Sequence, residues 1–226
     1  MNIAFIICGE FRWFDNFKTT FQNNFKPTLD GHNIQYFSHF WNQNLERLSD
    51  FTNTCDPMNI DIENKISYED VKKFFNFTKN VNGSFPNQAY GAYKSFLLLE
   101  KFQEQNNTTF DLYIKMRSDL AFLNKVDISN FDQESIYVKD ISNWRPVTNY
   151  VNDYIYFTKN YQAIKTISKL GFHIDTILEN PNSFIYQKDV SKNIYCPEEM
   201  LAKHLVNNNI STKTYNFNID LARHHI

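Results

Sequence analysis

The sequence predicts an α/β sandwich: a mostly parallel central sheet with helices on both faces, built as a single domain over residues 1–226. Three observations predict it. Ile3-Ala4-Phe5-Ile6-Ile7-Cys8 is a continuous apolar run that stops at Gly9, and such runs are strands buried on both faces. Phe14, Phe17, Phe21 and Phe25 then recur at three- and four-residue spacing, the stripe of a helix lying on a sheet. Residues 33–40 read as a second strand, ending at His39-Phe40-Trp41. A strand, a helix and a second strand open a doubly wound sheet.

The later elements follow in order. Residues 42–66 are polar without clear periodicity and read as loops with short helical pieces. Ser67, with Asp70 three residues on, caps a short helix to about Phe77, close to a capping box. Residues 79–86 read as a loop with Gly83 and Pro86 as breakers. Asn87 then caps a long helix to about Gln105, with Ala89, Ala92, Tyr93, Phe96, Leu99 and Phe102 on its apolar face. Phe110 to Met116 is the next strand and runs into Arg117-Ser118-Asp119-Leu120. Ser135–Val138 and Val151–Phe157 read as further strands, with a helix over Tyr161–Leu170. Ser183–Tyr186 and Lys213–Phe217 read as late strands. Between them, Pro197 opens a helix to about Val206 with two Glu near its positive end.

Composition excludes several function classes. The formal net charge is −2, and no sustained basic run supplies a nucleic-acid footprint. The three cysteines, Cys8, Cys55 and Cys196, are too few and too far apart for a disulfide framework or zinc site. Reduced thiols point to a cytoplasm. The Ile3–Cys8 run is too short for a signal-peptide core, and nothing approaches a membrane-spanning length.

Four constellations carry candidate chemistry. Gly9 follows the first buried strand directly, so the backbone of Cys8-Gly9 can turn tightly and approach a ligand. Arg12 adds a bidentate donor for phosphate. Later glycines are missing, so this is neither a dinucleotide fingerprint nor a P-loop. The second is Lys115-Met116-Arg117-Ser118-Asp119, where an apolar strand abruptly acquires both signs of charge at its carboxyl end. Ligands of open α/β sheets sit at such ends. Arg117 can take a phosphate and Asp119 can hold a divalent cation, or the two can simply pair with each other at the surface. The third is Asn152-Asp153, suited to bind sugar hydroxyls or to act as general base, or to form a loop turn. The fourth is Glu198-Glu199 at a helix start, where complementing the helix dipole is the simpler role. His39, His204, His224 and His225 are scattered, and no Ser/His/Asp elbow exists.

Taken together, Ile7-Cys8-Gly9-Glu10-Phe11-Arg12, His39-Phe40-Trp41 and Phe110 to Leu120 occur in an order that resembles glycosyltransferases of the GT-A type from large DNA viruses, phages and bacterial surface-polysaccharide clusters. The resemblance covers most of the chain through short motifs. It implies a Rossmann-like GT-A sandwich and a nucleoside-diphosphate sugar donor (UDP-, GDP- or dTDP-linked), commonly with Mn2+ or Mg2+. It also implies a glycan or other hydroxyl acceptor and, for a viral chain, the host cytoplasm. Arg117-x-Asp119 is similar to that fold's Asp-x-Asp motif, with Arg in place of the first Asp. The resemblance implies donor contacts from Cys8, Gly9, Arg12, Lys94, Arg117 and Asp119, with Asp119 the metal ligand. Asp153, Glu198 and Glu199 would face the acceptor as catalytic groups. Two alternatives remain open at this point: a homologue that binds a carbohydrate or partner protein without turnover, and a sugar nucleotidyltransferase.

Overall fold

The computed structural model describes residues 1–10, 14–42, 45–56, 58–81, 84–139, 151, 153–179 and 197–221. Seven strands form one sheet in the order β3-β2-β1-β4-β7-β6-β8. They are β1 (Asn2–Cys8), β2 (Asn33–Trp41), β3 (Met58–Glu63), β4 (Leu112–Arg117), β6 (Ile136–Lys139), β7 (Ile155–Thr158) and β8 (Thr212–Tyr215). β1, β2, β3 and β4 pair in parallel, β7 runs antiparallel to both neighbours, and β8 is parallel to β6. Only β7 is therefore reversed. β5 (Leu120–Phe122) and β9 (Ile219–Leu221) form a separate antiparallel pair. The mostly parallel α/β sandwich expected from the sequence is the fold observed.

Strand β1 shows why both faces are covered. Ile3, Phe5 and Ile7 point to one face, and Ala4, Ile6 and Cys8 to the other, as the two-residue period requires; all are buried. Phe5 packs on Phe21, Phe25 and Tyr36. The expected Phe stripe is fully buried, but not as one helix. Helix α1 (Phe14–Thr20) passes into a π turn over Phe21–Phe25 and a 3-10 turn over Lys26–Leu29. The wider π turn keeps Phe21 and Phe25 on the sheet, and each buried ring contributes roughly 1.5–3 kcal/mol. On the opposite face Phe96 and Leu99 of α4 (Phe85–Asn106) cover Ala4, Ile6 and Phe37.

Two segments differ from expectation. Residues 42–66 contain α2 (Leu45–Thr54) and the edge strand β3. The signal is a two-residue alternation, Ile60 and Ile62 against Asn59, Asp61 and Glu63, which polar flanks obscured. Helix α4 begins before Pro86 rather than after it, because a proline in the first turn forfeits no internal hydrogen bond. Helix α3 (Tyr68–Phe75) has the expected cap: Ser67 Oγ accepts from Asp70 N and donates to Asp70 Oδ2. The last helices are α5 (Tyr161–Ser168), α6 (Ile174–Ile177) and α7 (Pro197–Asn207). Among the described residues no helix is long and apolar enough to cross a membrane. The strand expected at 183–186 lies outside the described residues, as do Cys196, His224 and His225.

Candidate functional site

The order of the sheet fixes where a ligand belongs. From β1 the chain moves outward through β2 and β3, then crosses to the other side of β1 at β4. The crevice between the carboxyl ends of β1 and β4 is the topological switch point, where open α/β sheets take their ligands. Register places Arg117, Cys8, His39 and Asp61 in one row across β4, β1, β2 and β3. Side chains in one row share a face, and this face is crossed by α4. Gly91 makes that crossing possible: a Cβ there would lie 3.3 Å from Cys8 Cβ and 3.6 Å from His39 Nδ1.

Gly9 turns the chain off β1 with φ +129, a conformation reserved for glycine. A Cβ at Gly9 would meet Ser118 Oγ at 3.3 Å, and Ser118 Oγ donates to Glu10 O at 3.0 Å. The two strand ends are thereby tied across the crevice. Cys8 is 2 % exposed and its thiol is pushed up by burial. Only its backbone meets the crevice, so it walls the site as a neutral thiol.

Arg117 is held by two carboxylates. Its Nε and Nη2 donate to Asp119 Oδ1 and Oδ2 at 2.8 and 2.7 Å, a bidentate pair. Its Nη1 lies 3.5 Å from Asp153 Oδ2, and its guanidinium covers the Tyr154 ring. Burial opposes the Arg117 charge, but the Asp119 and Asp153 carboxylates outweigh it and raise its pKa further. Asp153 precedes β7. Burial, reinforced by Glu198 and Asp119, pushes its carboxyl up despite Arg117 and Lys115. Lys115 Nζ donates to Asp153 O at 3.2 Å and sits over the Tyr156 ring. At α7 the Glu198 carbonyl accepts from Val151 N at 3.3 Å, fastening that helix start beside Asp153. Glu199 is 5 % exposed and turned into the protein.

The expected site residues therefore come together in part. Gly9, Arg117, Asp119, Asp153 and Glu198 share one region. Arg12 and Asn152 lie outside the described residues. Lys94, expected at the diphosphate, is turned to β3 instead: its ammonium bonds Glu63 Oε1 and lies 3.4 Å from Asp61 Oδ2. The residues present do not fit a metal at Asp119. Both its oxygens accept from Arg117, whose guanidinium lies between Asp119 and Asp153, so the cation of this site is Arg117 itself.

A second cluster lies at the other end of the row. One ligand atom each from His39, Asp61 and Glu63 lies within 4.8 Å of the others, a group able to hold a metal ion. His39 is 1 % exposed. Its Nε2 stands 3.4 Å from Glu63 Oε2 but out of line for a hydrogen bond. Burial lowers its pKa, against the pull of the Glu63 and Asp61 carboxylates. Tyr90 Oη donates to Glu63 Oε2 at 2.9 Å and its ring stacks on Trp41. Burial works against the Glu63 charge, yet hydrogen bonds from Lys94 and Tyr90 hold its carboxyl below the usual range. Sequence reading missed Asp61 and Glu63 because it missed β3. Their signal was the alternation in that strand.

No family model matches this chain, and no curated protein matches it.

Proposed function

We propose that the chain is a glycosyltransferase that moves a sugar from a nucleoside-diphosphate donor to a hydroxyl of a glycan acceptor. The observation that carries this reading is the switch-point crevice, with Gly9 on one lip and Arg117 on the other, and Asp153 beside the arginine. Of the five guanidinium N–H groups, two are spent on Asp119 and one edge of Nη1 faces Asp153, which leaves two for phosphate oxygens. Asp119 fixes the plane of the guanidinium, which makes it a positioning residue. The leaving diphosphate gains negative charge as the glycosidic bond breaks, and a preorganised cation is worth most where charge develops. Asp153, pushed up by burial, has the direction of shift that suits a general base for an acceptor hydroxyl. Glu198 adds negative charge beside it.

Donor binding tests this. UDP-, GDP- and dTDP-sugars are added to the full chain and the melting temperature is followed. A matching donor at a hundred times its Kd stabilises by about 2.7 kcal/mol. No shift with any donor, with or without Mn2+, overturns the proposal. A second reading, a carbohydrate-binding homologue without turnover, is favoured by one observation: the Arg117 charge is already matched by Asp119 inside the protein. Asp153→Asn separates the two. An enzyme loses turnover while keeping donor affinity, whereas a pure binder has no turnover to lose.

A further inference from the structure

The side chains at the β2 and β3 end of the row play no part in the mechanism above. Two carboxylates, Asp61 and Glu63, converge there on one buried imidazole, and among the described residues the ammonium paired with both is that of Lys94. Two carboxylates there stand against one ammonium. At the β4 end a guanidinium lies between Asp119 and Asp153, with Lys115 and Glu198 beside them. An uncompensated negative charge at a partly buried site attracts a further cation.

We infer that His39, Asp61 and Glu63 form a binding site for a divalent transition-metal ion of the manganese-to-zinc class, distinct from the Arg117 crevice. Two independent observations support it. The three ligand atoms lie within 4.8 Å of one another, and ligands about 2.0–2.2 Å from a common ion sit about 3–4 Å apart. Closing that gap takes less than about 1 Å per side chain, and Asp61 and Glu63 are exposed enough to move. The second observation is His39 Nε2, a fully buried nitrogen that faces Glu63 Oε2 at 3.4 Å without an aligned hydrogen bond. A buried polar atom left in that state is costly, and a metal bond would satisfy it. One imidazole with two carboxylates suits Mn2+, Co2+ or Zn2+ over Mg2+, which prefers oxygen and retains its waters. Three protein ligands leave positions open for water or a substrate oxygen. Lys94 is a flexible amine, and the incoming ion displaces its ammonium from the carboxylates.

The test uses the full chain with metal ions alone and no donor, so it stands apart from the glycosyltransferase reading. Mn2+ binding is followed by titration calorimetry, and Co2+ binding by its visible absorption. One ion per chain is expected, with Mg2+ far weaker. Asp61→Asn and Glu63→Gln, both outside the buried core, should each weaken Mn2+ by roughly tenfold or more. Lys94→Gln should tighten it several-fold by removing the competing amine. Circular dichroism confirms that each variant is folded. Absence of Mn2+, Co2+ and Zn2+ binding by the parent chain overturns the inference. So does undiminished affinity in both carboxylate variants, or Mg2+ binding as tightly as Mn2+.

Discussion

Two carboxylate clusters flank Cys8 on one face of the sheet, and they differ in what supplies the positive charge. At β4 a guanidinium lies between Asp119 and Asp153 and uses its rigid fork on the first of them. At β2 and β3 a flexible ammonium reaches Asp61 and Glu63 from a neighbouring helix, and a buried imidazole nitrogen is left without a hydrogen bond. The first is closed around its arginine. The second is open and negative. The difference teaches that Arg117 is a fixed cation at the switch point, which on the proposed reading would face the diphosphate of a donor. The proposed metal site is the cluster that has no arginine.

Breaking the closed cluster has the largest expected effect. Arg117→Met leaves Asp119 and Asp153 facing each other in a desolvated site, and removing one partner of such a pair costs about 3–5 kcal/mol. Urea unfolding measures it. The double variant Arg117→Met/Asp119→Leu should recover part of that loss, because the stranded charge is gone. If Arg117→Met unfolds at the parental midpoint, the cluster is not closed in the sense used here.

Gly9→Ala comes next. The positive φ at Gly9 and the nearness of Ser118 Oγ oppose a side chain, at about 1–3 kcal/mol. Donor affinity should fall with stability, since the same turn forms one lip of the crevice. An alanine variant with unchanged stability would show that the turn relaxes.

Asp153→Asn should move stability and activity in opposite directions. Burial holds the native carboxyl above its value in the unfolded chain, so the charged form penalises folding once pH rises past about 4, the ordinary carboxylate value. The asparagine variant should therefore be the more stable protein near neutrality, and its advantage should vanish in stronger acid. Turnover should be lost throughout. Thermal melts across pH with a parallel activity assay check both parts.

Lys94→Gln should have the smallest effect on folding, about 0–1 kcal/mol, because its carboxylate partners are partly exposed. A loss as large as that of Arg117→Met would erase the distinction between the two ends of the row.

How legible each cluster was follows from how it is built. Arg117-Ser118-Asp119 is contiguous, so a charged break at the end of an apolar strand announced it. The strand itself, β1 beside it and the long helix α4 were visible through strong periodicity. His39, Asp61, Glu63 and Lys94 come from β2, β3 and α4, and only the β2–β3 register and the crossing of α4 bring them together. That register depended on an edge strand whose short alternation lay hidden among polar residues. Lys94 was placed at the wrong end of the row for the same reason, because its partners were not yet in the fold. That Arg117 and Asp119 could pair was legible as the plain alternative to a ligand site, but its bidentate geometry was not, since a two-residue spacing does not say how two side chains meet across a turn.

The most direct test is a crystal of the full chain grown with a nucleoside diphosphate and Mn2+, with the manganese located by anomalous scattering. The expected map places the diphosphate against Gly9 and Arg117, and the manganese among His39, Asp61 and Glu63. Manganese bound at Asp119, or a nucleotide bound away from the switch point, would contradict the division of labour between the two clusters.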